Sequence, residues 1–117
     1  MVAPELRVTL DSPTSADSWP VLRVSGEVDI QTSPILDEHL KSAHAEGASS
    51  IVVDLGEVTF LDSTGLSVLI AALKRCQSAG GSMRLVSPQP NVRRVLEVTG
   101  LTDVFQVEST LDEETPG

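Results

Sequence analysis

The sequence predicts an α/β domain, a small mixed and mainly parallel sheet flanked by helices. Three observations carry this. Strand-like and helix-like apolar patterns alternate along the chain in the order β-β-α-β-α-β-α-β. The run Ile51-Val52-Val53 is continuously apolar, as in a strand buried on both faces under helical crossovers. The strand–helix–strand units have the length of right-handed crossovers between parallel strands. With 117 residues the chain makes one domain, large enough to bury a core without disulfides or metals.

The elements follow in order. Leu6, Val8 and Leu10 alternate with Glu5, Arg7 and Thr9, which predicts a strand with one wet face, able to pair antiparallel. Residues 11–19 are a polar turn region rich in Ser and Asp. A second strand follows over 20–26, with Pro20 at its first residue, where a missing N–H is tolerated. Residues 26–33 read as a loop. Thr32 or Ser33 can then cap a helix over 34–46, with Pro34 in its first turn, Leu36, Leu40 and Ala43 on one face, and Gly47 as its stop.

The third strand centres on Ile51–Val53, and residues 57–62 lead from its end to a second helix over 63–79. Leu66, Leu69, Ile70 and Leu73 recur there at helical spacing, and Gly80-Gly81 ends it. A fourth strand spans 82–87. A third helix enters after Pro90 and stops at Gly100, with Val92, Val95, Leu96 and Thr99 on one face. A short last strand covers 103–108. The domain is expected over 1–107 and an acidic, mobile tail over 108–117, where Glu108, Asp112, Glu113 and Glu114 fall.

Composition narrows the function classes. Aromatics make up 3 %, with no Tyr and one Trp, so the core must be built from Val, Leu, Ile and Ala. A formal charge of −9 disfavours direct binding to nucleic acid, which needs clustered Lys and Arg, and to anionic membranes. The lone Cys76 rules out an intrachain disulfide and fits a reducing compartment. No basic segment followed by an apolar one opens the chain, and no apolar run is long enough to cross a bilayer. A cytoplasmic protein is expected, with no membrane association.

The stretch Asp62-Ser63-Thr64-Gly65 starts the second helix. If Ser63 were the N-cap, Asp62 and Ser67 would occupy the staple positions and no staple would form. If Asp62 is the N-cap, Leu61 and Leu66 can pack as a hydrophobic staple. Asp is also among the best capping residues, and its charge suits the helix dipole. Ser63 then falls at the first helical position with a hydroxyl not needed for capping, and Gly65 is expected to leave the backbone around the hydroxyls uncovered. A phosphate there would add about −1.5 to −2 charges. On the residues alone a plain capped helix start leads, with a modification or contact site second. The helix behind it is apolar nearly all round, so either the domain or a partner must cover its remaining faces.

Other chemistries find little support. His39 and His44 lie five apart on a helix and share no face, and no Cys or carboxylate spacing completes a metal site. Ser63 has Leu61 where a hydrolase nucleophile elbow needs Gly. No phosphate-binding Gly-rich loop occurs. Asp29 and Asp54 at strand ends lack the further carboxylates and Lys of a phosphoacceptor pocket. Neither a cofactor nor an enzymatic activity is expected.

The run from Val52 to Phe105, containing "VVDLGEVTFLDSTGLSVLIAALKRC", resembles the bacterial anti-sigma factor antagonists, the STAS-domain family. "SGEVDIQTSPILDEHL" is similar to their Gly-Glu-hydrophobic-Asp loop and first helix. The likeness covers residues 5–107. It implies a STAS-like fold and a partner-switching role. The unphosphorylated protein binds an anti-sigma factor, often itself a serine kinase, and so frees a sigma factor. Phosphorylation of Ser63 ends binding, and a phosphatase restores it. The implied contact residues are Gly26, Glu27, Val28 and Asp29 together with Asp62, Ser63, Thr64, Gly65 and Leu66. A constitutive STAS scaffold in a signalling or transport assembly is the alternative.

Overall fold

A computed structural model of the chain describes residues 6–11 and 18–108. The expected polar turn over 11–19 falls mostly outside the described residues, as does the expected acidic tail beyond Glu108. The elements are β1 (Arg7–Asp11), β2 (Val21–Val28), α1 (Ser33–Ala45), β3 (Ile51–Leu61), α2 (Ser63–Ser78), β4 (Met83–Val86), α3 (Pro90–Val98) and β5 (Gln106–Glu108). The order is the one the sequence predicts.

The five strands lie side by side in chain order, with β1 antiparallel to β2 and the other three pairings parallel. Alternate strand residues face a single core: Leu22 and Val24, then Ile51, Val53 and Leu55, then Met83 and Leu85. The same core takes Leu36 and Leu40 from α1, Leu66, Leu69 and Leu73 from α2, and Val92 and Leu96 from α3. The three helices thus share one face of the sheet, the outcome of same-handed crossovers between sequential parallel strands. Val52 and Val86 are buried on the opposite face, apart from that core. That face also carries Arg23, paired with Asp11 at 2.7 Å and Asp54 at 2.9 Å, and Arg84, whose guanidinium lies 4.3 Å from the centre of the Trp19 ring.

Residues 103–105, expected in the last strand, form a turn ahead of a β5 of three residues. Two further segments depart from the sequence reading, for one reason. Gly26–Val28, expected in a loop, are the end of β2. Residues 57–61, expected as a connection, are the second half of β3. The two runs pair with each other: Gly26 with Val58, Glu27 with Phe60, Val28 with Leu61. The register shifts twice along this pair, and each time β3 carries the extra residue. The bulges break the period-2 alternation, so the buried residues of late β3 fall at Leu55, Val58 and Leu61. A spacing of three does not read as a strand. Gly26 sits at one of the shifts with φ +119°, a conformation that suits Gly and little else.

The breadth of α2 is largely used inside the domain. Leu66, Leu69, Ala72, Leu73 and Cys76 are buried, while Val68 and Ile70 are half-buried against the core and α1 packs alongside. The apolar sides of α2 therefore call for less outside cover than the sequence suggested.

Candidate functional site

The parallel strands β2 and β3 end together, and the chain enters α2 directly from Leu61. Asp62 has extended backbone angles (φ −109°, ψ −171°) and caps the helix. Its Oδ1 accepts from Thr64 N at 3.0 Å and Gly65 N at 3.2 Å, and the Thr64 hydroxyl also donates to it. The Thr64 hydroxyl, more than the two backbone N–H groups, holds the Asp62 carboxyl below its ordinary pKa, against partial desolvation. Asp62 N donates to Val28 O at 3.2 Å, which ties the helix start to the end of β2. Leu61 and Leu66, the expected staple pair, are both buried in the core.

Capping by Asp62 leaves Ser63 in the predicted position. It is the first residue of α2, it is exposed, and its hydroxyl makes no hydrogen bond among the described residues. Only its carbonyl is engaged, accepting from Ser67 Oγ at 3.0 Å.

Gly65 corrects the sequence reading. It does not uncover the hydroxyls; it is buried and faces inward. A Cβ there would stand 2.5 Å from Leu61 Cδ1 and 2.6 Å from Val28 Cγ1. The missing side chain lets the first turn of α2 settle onto the ends of β2 and β3, and so fixes where Ser63 stands.

The turn after β2 is braced by Asp29 and Thr32. Asp29 Oδ1 accepts from Gln31 N at 2.9 Å and Thr32 N at 3.0 Å. The Thr32 hydroxyl accepts from Asp29 N at 3.0 Å and donates to Glu27 O at 2.6 Å. Thr32 does stand at the N-cap place of α1, but its side chain makes no capping bond. The sequence offered it as a cap; its hydroxyl instead closes the turn.

Of the expected contact residues, the fold gathers both groups at one end of the sheet but does not expose them all. Glu27 and Ser63 are exposed, and Gly26, Asp29, Asp62 and Thr64 are partly so. Val28 is fully buried and Gly65 and Leu66 are buried, so these residues position the surface and do not form it. The same end presents two apolar residues that sequence reasoning missed. Ile30 is 72 % exposed in the turn and Phe60 is 45 % exposed near the end of β3. An isolated Ile in a polar turn was the available signal for the first. Phe60 was hidden by the bulged register.

A family model described as the STAS domain matches residues 11–114. The chain belongs to the STAS-domain family. It is 32 % identical over 94 residues to the anti-sigma-B factor antagonist of Staphylococcus aureus (strain NCTC 8325 / PS 47), covering 80 % of this chain and 87 % of that relative. It is 31 % identical over 86 residues to the protein of the same description from Bacillus subtilis (strain 168), covering 74 % and 78 %. An anti-sigma factor antagonist from Mycobacterium paratuberculosis has a similar structure, with a TM-score of 0.81 and 31 % identity over 93 % of this chain and 90 % of that one. This STAS domain is thus similar to anti-sigma factor antagonists in both sequence and fold over most of its length. No helix among the described residues is long and apolar enough to cross a membrane.

Proposed function

We propose that this STAS domain is a cytoplasmic anti-sigma factor antagonist switched by phosphorylation of Ser63. The unmodified protein binds an anti-sigma factor of the serine-kinase type through the end of the sheet that carries Glu27, Ile30, Phe60 and Ser63, and the sigma factor is released. The kinase then transfers the γ-phosphoryl group of ATP to Ser63 Oγ. ADP leaves and the hydroxyl proton is lost. The new charge, about −1.5 to −2, falls at the same end of the sheet as the exposed Ile30 and Phe60, a surface that a partner would have to desolvate. A phosphatase hydrolyses the ester and restores binding. On this reading the protein is a substrate and regulator, not a catalyst.

The observation that carries the proposal is the division of labour at the helix start. Asp62 takes the capping bonds, so the Ser63 hydroxyl is exposed and unengaged. The test is calorimetric titration of a cognate anti-sigma factor with wild type, Ser63→Ala and Ser63→Glu. Binding by the first two and its loss in Ser63→Glu is expected. Equal affinity for Ser63→Glu would overturn the switch. Absence of phosphate on Ser63 after incubation with the kinase and ATP would point to a constitutive scaffold.

A further inference from the structure

The late half of β3 is held by side chains that the proposed switch does not name. β4 pairs with β3 only from Ile51 to Asp54, so beyond Asp54 no strand among the described residues pairs with that side of β3. Two backbone carbonyls of this stretch are taken by side chains instead. Gly56 O accepts from Gln89 Nε2 at 3.0 Å, and Thr59 O accepts from Asn91 Nδ2 at 2.8 Å. Both donors come from the start of α3. Gln89 stands at its N-cap place but makes no capping bond, and Asn91 is its second residue.

The two carbonyls mark the two bulges. Gly56 lies in the interval from Asp54 to Glu57, where β3 has one residue more than β2. Between Val58 and Phe60 the extra residue is Thr59. A bulged residue is left without a partner in the ladder, and its carbonyl needs another donor. At both bulges an amide side chain of α3 supplies one, where β4 no longer reaches.

The Thr59 carbonyl belongs to the peptide unit that joins Thr59 to Phe60. Holding its direction holds the backbone from which Phe60 projects, two residues before the capping Asp62. Bulges re-aim the side chains beside them. Phe60 is exposed here, between the buried Val58 and Leu61. We propose that Asn91 is a positioning residue for partner binding: its amide holds the Thr59 bulge and so presents Phe60 to the anti-sigma factor. This rests on the reading that this end of the sheet is the binding surface. Gln89 braces the bulge farther from Ser63 and serves the fold alone.

The test is calorimetric titration of the anti-sigma factor with wild type, Asn91→Ala, Gln89→Ala, Phe60→Ala and the double variant of Asn91→Ala with Phe60→Ala, each also unfolded in urea. The Gln89 bond is part-buried and the Asn91 bond exposed, so Gln89→Ala should lower the urea midpoint at least as much as Asn91→Ala does. Affinity should follow the opposite order. Asn91→Ala should weaken binding by about three- to tenfold and Gln89→Ala by less than about twofold. Phe60→Ala should weaken binding too, and on that background Asn91→Ala should cost nothing further, because it acts through Phe60. Unchanged affinity in Asn91→Ala, equal losses in the two amide variants, or a full added loss in the double variant would overturn the positioning role. Wild type that fails to bind would instead sink the reading of the surface, and the role of Asn91 with it.

Discussion

Gly65→Ala sets two opposing effects against each other. At the third position of α2, Ala is the better helix former by roughly 1 kcal/mol. If Gly65 served only to leave nearby hydroxyls uncovered, the substitution would stabilise the protein by up to that amount. The structure predicts the opposite sign. The new methyl would meet Leu61 Cδ1 at 2.5 Å and Val28 Cγ1 at 2.6 Å, both closer than carbon atoms approach without displacement. Leu61 and Val28 are 3 % and 0 % exposed, so neither has open space to move into, and Val28 is β-branched and stiff at χ1. Overpacking of a filled core costs about 1–3 kcal/mol. After the propensity gain, a net loss of up to about 2 kcal/mol remains. For a chain of this size, that lowers the thermal midpoint by up to roughly 8 °C. Thermal melts followed by circular dichroism, with urea titrations as a check, measure it. A midpoint equal to or above that of wild type would show that α2 does not rest on the strand ends as described.

Three further outcomes are expected. Asp62→Ala removes the cap of α2 and should cost about 1 kcal/mol in urea unfolding at pH 7. Because the Asp62 carboxyl is held below the ordinary range of an aspartate, chiefly by the Thr64 hydroxyl, its contribution is present above that range and is lost as pH falls through the lower folded-state pKa. The stability difference between wild type and Asp62→Ala should therefore shrink only in strong acid; a difference that vanished already near pH 5 would contradict the assignment. Thr32 is itself buried, and Thr32→Val takes away the hydroxyl that serves Glu27 O and Asp29 N at part-buried positions, which should cost about 1 kcal/mol by chemical denaturation. Burial pushes the Cys76 thiol up, with the Arg75 charge opposing in part, so a thiol reagent at pH 8 should label the native protein far more slowly than the urea-unfolded chain.

Much of this architecture was legible in the sequence because its signals are local. The apolar spacing of Leu36, Leu40 and Ala43, and of Leu66, Leu69 and Leu73, marks the core faces of two helices that the fold confirms. Asp62 could be chosen over Ser63 as cap because Leu61 and Leu66 flank only that alternative correctly. What the sequence hid was set by pairing between distant segments. The two bulges between β2 and β3 turned strand residues into an apparent loop and an apparent connection, and with them concealed Phe60. The same pairing brings Val28 beneath Gly65, a contact between residues 37 apart that no local pattern announces. Thr32 stands at the N-cap place the sequence offered, but its hydroxyl could serve the helix or the turn, and only the position of Glu27 O decides between them.

The arrangement around Asp62 also bears on how the proposed switch would act. A phosphate at a helix N-terminus ordinarily binds the free N–H groups there and can tighten the fold. At α2 the Asp62 carboxylate already holds the N–H groups of Thr64 and Gly65, and the Leu66 N–H bonds to the Asp62 carbonyl. Of the first turn's donors, the Ser63 N–H alone is left, and the Asp62 charge repels an added anion. Phosphate on Ser63 is therefore expected to stay on the surface and to change the partner's view of the protein more than the protein itself. Ser63→Glu, at an exposed position, should shift unfolding stability by no more than about 0.5 kcal/mol, whereas its affinity for the anti-sigma factor should fall by at least about tenfold. Paired urea titrations and calorimetry on one preparation separate the two quantities. A large stability loss that fully accounts for lost binding would mean the modification acts by loosening α2, and the surface-charge mechanism would be wrong.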